Sequence, residues 1–324
     1  MNRRQLIKAF AAVGGLHGIS ACARFDSGPI TIAAHTWVGY EPMFMARNEG
    51  WLEDRKARLY ETQNATESLQ ALAEGKVDGA ALTLDEVLQA RQSGQKLTVV
   101  LVFNISAGAD MLVARPELGS LSALRGKRLA YEQSSVGALL LGEILSKAGL
   151  SKRDVTLVPL SVDKQVAGWR ARAFDAAITY EPVASELLDL GARKLFDSRQ
   201  IPNTIVDVLA IRSDLVAAHA GELRHLVRAH FRALDHLARS PHDAAYRMAT
   251  HLNLPAGDVL SAFKGLLLPD AQANRRLLAG REPPMLLTAQ KVSAALVENG
   301  LLQQPDKLNA LVSAEFIPVD LVAR

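Results

Sequence analysis

The sequence predicts an α/β protein of two lobes, built on mostly parallel sheets and closed by a helical C-terminal cover. Three observations predict it. From Ile30 to about Leu160, apolar and β-branched runs alternate with helical patterns, as strands joined by helices do. The alternation stops before Pro116 and restarts at Arg125-Gly126-Lys127, as a second sheet would. From Asp214 to Asn299 the chain turns largely helical, with breaks at Pro241, Pro255, Pro269 and Pro283-Pro284. At 324 residues and 49% hydrophobic content, there is material for two sizeable cores.

The start of the chain is separate from this body. It has Arg3, Arg4 and Lys8, then a stretch at 9–21 without charge apart from His17, then small residues before Cys22. This is the pattern of an export signal, expected over 1–21, and the stretch is shorter than the about 20 residues a bilayer core requires. Asn2-Arg3-Arg4-Gln5-Leu6-Ile7-Lys8 is similar to a twin-arginine signal, although Asn2 and Leu6 depart from the usual residues. Ile19-Ser20-Ala21-Cys22 resembles the lipobox of bacterial lipoproteins, which implies a lipidated Cys22 and a tether over 22–29. Cys22 is the sole cysteine, so an intramolecular disulfide is excluded. The formal charge of +3 comes from the leader: without its three basic residues, Lys plus Arg falls from 37 to 34, equal to Asp plus Glu. A body near neutrality has no general electrostatic claim on nucleic acid.

Residues 31–34 suit a buried strand, and His35-Thr36-Trp37-Val38-Gly39-Tyr40 follows it. Gly39 supplies a turn, Pro42 opens a helix and Gly50 closes it. Ligands of open α/β sheets bind beyond the carboxyl ends of the strands, which makes His35, Trp37 and Tyr40 pocket candidates. Further strands are expected at 58–62, 79–82, 97–103, 110–114, 127–132 and 155–160. Asn64 with Glu67, and Thr83 with Glu86, have capping-box spacing, so helices start just after Asn64 and Thr83. Thr83 and Asp85 thereby also stand at a strand end.

Gln133-Ser134-Ser135-Val136-Gly137 places two hydroxyls at a helix start, where N–H groups and the helix dipole suit an acceptor. Asp175-Ala176-Ala177-Ile178-Thr179-Tyr180-Glu181-Pro182 reads as a small-residue strand ending at Tyr180 and Glu181. Asp207 interrupts the apolar run 205–211, and a lone carboxylate there needs a partner, water or a ligand. His225, His230 and His236 are separated by five and six residues, not by the spacing of the paired histidines of a zinc helix, and no metal is assigned. Arg224, Arg228, Arg232 and Arg239 read as a solvated face. No cofactor motif, nucleophile elbow or dinucleotide glycine pattern is present.

Trp37-Val38-Gly39-Tyr40-Glu41-Pro42, the segment from Gln133, the segment from Asp175 and Ile205-Val206-Asp207-Val208-Leu209-Ala210-Ile211 occur in order. Together they resemble the solute-binding proteins of nitrate, sulfonate, taurine and thiamine-precursor importers. The resemblance implies a periplasmic-binding-protein-like fold of type II, non-enzymatic, with lobe 1 at 30–114 and 207–324 and lobe 2 at 115–206. It implies a small solute, an ABC permease with its ATPase, and an exported, lipid-anchored, monomeric protein at the periplasm or cell surface. The alternatives are a solute-sensing module of a signalling system, or an enzyme like those that form the thiamine pyrimidine, which carry a cysteine cluster absent here. The expected ligand-binding residues are His35, Trp37, Tyr40, Thr83, Asp85, Ser134, Ser135, Tyr180, Glu181 and Asp207. They hold three aromatics and three acids but no Lys or Arg, which favours an amine-bearing or heterocyclic solute, such as a pyrimidine, over a simple sulfonate.

Overall fold

A computed structural model of the protein describes residues 28–133 and 135–320. The expected leader and Cys22 lie outside the described residues. The chain begins with β1 (Ile30–His35), α1 (Glu41–Asn48), β2 (Ala57–Thr62), α2 (Ala65–Ala73), β3 (Gly79–Thr83), α3 (Leu84–Gln92) and β4 (Leu97–Ser106). Next come β5 (Met111–Ala114), β6 (Arg128–Tyr131), α4 (Ser135–Ala148), β7 (Thr156–Pro159), α5 (Gln165–Arg170), β8 (Ala176–Thr179), α6 (Val183–Asp189) and β9 (Arg193–Asp197). β10 (Val206–Arg212) leads into α7 (Ala220–Arg239), α8 (Pro241–Leu252), α9 (Ala256–Ala262), β11 (Leu266–Leu267), α10 (Ala271–Leu278) and α11 (Pro284–Glu298).

The caps fall where the spacing puts them: Asn64 Oδ1 accepts from Glu67 N at 3.0 Å, and Thr83 N donates to Glu86 Oε2 at 2.9 Å. Gly50, at φ +69°, ends the turn after α1 in a backbone conformation that side chains resist.

Two sheets form, in the orders β11-β4-β10-β3-β1-β2 and β7-β6-β8-β5-β9. Each is mixed. β2-β1-β3 and β7-β6-β8 pair in parallel, whereas β10 and β5 run antiparallel to both neighbours. The alternation of elements therefore overstates the parallel share. The reason is that β5 and β10 are the strands by which the chain enters each sheet from the other. The sequence reading also put 110–114 in the first lobe, but β5 is hydrogen-bonded between β8 and β9 of the second sheet. The chain thus changes sheet between Ser106 and Met111, and changes back between Asp197 and Val206.

These two crossings are tied to each other. Ser106 and Ser198 share a hydroxyl hydrogen bond at 2.7 Å, Gly108 N donates to Ser198 Oγ at 2.6 Å, and Ser198 N donates to Asp110 O at 2.9 Å. The first crossing also rests on Gly265, whose carbonyl accepts from Ala107 N at 2.6 Å.

Separate cores support the sheets. β5 shows why its sequence is apolar throughout: Leu112 and Ala114 face Leu141 and Ile144 of α4, while Met111 and Val113 join the cluster of Trp169, Phe174 and Leu187 on the other face. The larger core joins the first sheet to the C-terminal helices, with Phe44, Phe103, Leu226, Val259 and Leu296 all buried. α7 buries Leu223, Leu226, Val227, His230, Phe231, Leu234 and Leu237 at helical spacing. Its arginines lie on the other face, where Arg224 and Arg228 pair with Glu315 and Asp320 and Arg232 covers the Trp51 ring at 4.2 Å. No helix among the described residues is long and apolar enough to cross a membrane.

Candidate functional site

The strand ends of both sheets converge on one cleft of about 410 Å³. β1 delivers His35 and, through the following turn, Trp37 and Tyr40; β3 delivers Thr83 and, one helical turn on, Glu86. β10 runs antiparallel to β3 with Asp207 opposite Thr83, so the beginning of β10 lies at the carboxyl end of β3 and Asp207 enters the cleft. From the second sheet, β6 contributes Glu132 and β8 contributes Tyr180, while Asp163 and Lys164 arrive on the turn before α5. Asp110 lines the cleft from the first crossing.

Aromatic rings fix the geometry. The Tyr40 hydroxyl donates to Asp207 Oδ1 at 2.6 Å, and its ring packs against His35 at 5.3 Å and Phe103 at 5.0 Å between centroids. Trp37 meets Tyr180 edge to face, with centroids 5.2 Å apart and planes at 84°. Gly39 allows this turn to close. A Cβ there would stand 2.0 Å from Asn104 Nδ2 and 2.6 Å from Trp37 Nε1, closer than side chains tolerate.

The charge is one-sided. Burial pushes the Asp207 carboxyl up to about 8, reinforced by the charges of Asp110 and Asp85 and opposed by the Tyr40 hydrogen bond. Burial also raises Glu86, helped by Asp85 and Asp207 and opposed by its bonds to Thr83. Asp110 is raised to about 6 by burial, against the hydrogen bond from Ser106. Glu132 is raised by burial and by Asp163, with Tyr180 opposing. Burial holds His35 down at about 4, so it is neutral at pH 7 and supplies no counter-charge. Lys164 is the one Lys or Arg lining the cleft among the described residues.

Of the residues expected from sequence, His35, Trp37, Tyr40, Thr83, Tyr180 and Asp207 line this cleft. Asp85 does not: it is fully buried beside Glu86 and acts on the cleft through its charge. Glu181 turns to its own helix, accepting from Ser185 N at 3.1 Å and Ser185 Oγ at 3.0 Å, which is the capping role its position before Pro182 allows. Ser134 and the side chain of Ser135 lie outside the described residues. Glu86, Asp110, Glu132, Asp163 and Lys164 were not among the expected residues. The capping box that marked Glu86 as a helix signal was also the signal for a residue at the mouth of a strand. Among the described residues no group of three or more His, Cys, Asp or Glu side chains is placed to hold a metal ion.

The architecture matches solved proteins. The alkanesulfonate-binding protein SsuA from Xanthomonas axonopodis pv. citri, solved with bound MOPS, superposes with a TM-score of 0.72 at 20% identity, over 88% of this chain and 98% of that one. The desulfurization enzyme DSZB superposes at 0.62 and 18% identity, over 89% of this chain and 97% of that one. The fold therefore serves both binding proteins and an enzyme. A protein of Brucella abortus, named as a binding protein, is 22% identical over 173 residues, 51% of this chain. The alignment spans about half the length of that curated relative, 53%. A family model described as NMT1-like matches residues 26–253, and the chain belongs to the NMT1-like family.

Proposed function

We propose that this protein is the solute-binding component of an ABC importer, which traps a small solute between its lobes and presents it to a permease driven by an ATPase. The observation that carries the reading is the cleft of about 410 Å³ between two sheets that are joined on one side by a pair of hydrogen-bonded crossings. Such a joint permits one lobe to swing on the other, and a ligand that contacts both lobes favours the closed arrangement. The likeness to a sulfonate-binding protein and to a relative named as a binding protein supports this reading. The role is non-enzymatic: no cysteine lines the cleft among the described residues, and Asp207 and Glu86 bond Tyr40 and Thr83 rather than a nucleophile.

The protein is exported and held at a membrane by acyl chains on Cys22, working as a monomer beside its permease. Two experiments test the proposal. Small-angle scattering with a panel of metabolites, preselected by their effect on melting temperature, should show compaction by the true solute. Loss of uptake of that solute in a deletion strain completes the case, whereas unchanged uptake with a lost transcriptional response would move the protein to a sensing role. For the anchor, Cys22→Ser should leave the membrane fraction with unchanged solute affinity. Continued resistance to salt extraction would refute lipidation.

A further inference from the structure

The floor of the cleft is unusual for a pocket whose structural neighbours include a sulfonate-binding protein. Three carboxyl groups, those of Glu86, Asp110 and Asp207, are 2%, 5% and 4% exposed and line the same cavity. Each has local partners that explain part of its bonding: Thr83 N for Glu86, the Tyr40 hydroxyl for Asp207 and the Ser106 hydroxyl for Asp110. None of these partners carries a positive charge. A sulfonate placed here would be repelled by whichever of these groups is ionised, and Coulomb repulsion in a partly dry cleft is several times stronger than in water.

We propose that the cleft takes a positively charged solute whose cationic head is held by the carboxyl groups of Glu86 and Asp207, with Asp110 completing the cradle. This rests on the reading of the protein as a solute receptor and names the class of solute. A second observation points to a ligand. The Trp37 Nε1 atom is buried in a residue that lines the cleft, and among the described residues no acceptor reaches it, so an acceptor elsewhere on the solute would complete its bonding. The Trp37 and Tyr180 rings meet at the same site, which suits a flat ring attached to the cation.

The groups around Glu86 and Asp207 act in both directions, the neighbouring acids strengthening their hold on protons and the hydrogen bonds from Thr83 and Tyr40 weakening it. Asp85 on α3 and Asp110 on the crossing raise the affinity of the pair for protons, and Tyr40 presents a hydroxyl whose own proton is held more tightly beside Asp207. From the second lobe Tyr180 and Glu132 add hydroxyl and carboxyl groups, and Asp163 a further acid. His35 stays neutral because burial lowers it, and Lys164 is the one Lys or Arg on the wall among the described residues. A cation bound on the floor favours the ionised carboxylates, so protons leave as it binds and affinity rises with pH.

The test uses two flat probes of equal ring and opposite charge, benzamidinium and benzenesulfonate, in isothermal titration calorimetry at pH 6, 7 and 8. Each is run in two buffers of different ionisation heat, so that proton release is read directly. Benzamidinium should bind with release of a proton and gain about tenfold in affinity per pH unit per proton released. Glu86→Gln and Asp207→Asn should each reduce both the proton count and the pH slope, with circular dichroism confirming that the variants are folded. Three results would overturn the proposal: tighter binding of benzenesulfonate, benzamidinium binding without proton release, or failure of the floor to bind the amidinium at all. If the sulfonate binds and compacts the protein, the receptor reading survives while the cationic class falls. If no member of the metabolite panel compacts the protein, the receptor reading itself falls.

Discussion

Trp37, which follows β1, and Tyr180, which follows β8, touch edge to face across the cleft and so join the first sheet to the second by an aromatic contact. The pair is a direct lobe-to-lobe interaction in the solute site. Aromatic pairs of this kind contribute about 0.5–1.5 kcal/mol beyond their burial, which changes an open-to-closed ratio by roughly two- to tenfold. Trp37→Ala should therefore expand the solute-free protein, read as a larger radius of gyration by small-angle scattering or a longer distance between dyes on the two lobes. Unchanged dimensions would show that the contact does not govern closure.

Asp207 should make the protein less stable as pH rises. Its carboxyl titrates near 3.8 when unfolded and near 8 when folded, so the folded state holds an extra proton between those values. The raised value gives full stability below about pH 4 and loses it progressively up to about pH 8, with an upper slope of about 1.4 kcal/mol per pH unit. Asp207→Asn keeps the size of the side chain and an acceptor for Tyr40 while removing the charge. Urea denaturation at pH 5 and pH 8 should show the variant gaining on the wild type as pH rises. A variant that loses stability relative to the wild type as pH rises would contradict the assignment.

His251 should act in the same sense, losing stability as pH rises. Its Nδ1 lies 2.6 Å from Glu41 Oε1, its ring packs on Phe44 at 4.2 Å, and the hydrogen bond to Glu41 raises its affinity for a proton. A raised histidine contributes stability that is present below about pH 6.5 and lost as pH climbs through the folded value. Burial leaves Glu41 only 1% exposed, so His251→Gln removes a charged partner from a group that water does not reach. The expected cost is about 1–3 kcal/mol at pH 6, shrinking towards pH 9, measured by chemical denaturation. A constant cost across that range would assign the effect to packing on Phe44 alone.

Gly39→Ala should destabilise by about 1–3 kcal/mol, since the new methyl must displace the Asn104 amide or the Trp37 indole from a packed site. Gly221, near the start of α7, has no heavy atom within 4 Å of a built Cβ, so Gly221→Ala serves as the control and should be neutral or stabilising. Equal melting temperatures for the two variants would mean that the turn between β1 and α1 yields easily.

Much of the cleft was legible because strand ends are legible. Runs such as 31–34 and 176–179 are short, apolar and followed by polar or aromatic residues, so the positions after them could be placed at a sheet edge without knowing the topology. What was lost depended on rotation or on distance. Asp85 and Glu86 are neighbours about 100° apart on α3, and only the packing decides that the first turns inward and the second into the cleft. Asp110 was assigned to a first-lobe strand because nothing local distinguishes a strand that ends one sheet from one that opens the next. Asp163 and Lys164 carry no local signal at all, since they reach the cleft through the placement of the second sheet. Glu181 has a sufficient local explanation in Ser185, and that explanation is the one the fold uses.

The adjacency of β4 and β10 gives the molecule an uncommon genealogy of parts. These two strands pair antiparallel, and residues 107–205, which hold the whole second sheet, are the loop between them. Topologically, the second lobe is the tip of one hairpin. Loop-closure entropy grows only logarithmically, about 0.6 kcal/mol for each doubling of length, so the first lobe loses little by carrying so long an insertion. Once folded, that insertion returns its two ends to the same point, where Ser106 and Ser198 meet. Excision at 107 and 205 with closure by a short linker should therefore leave the order of the first sheet intact.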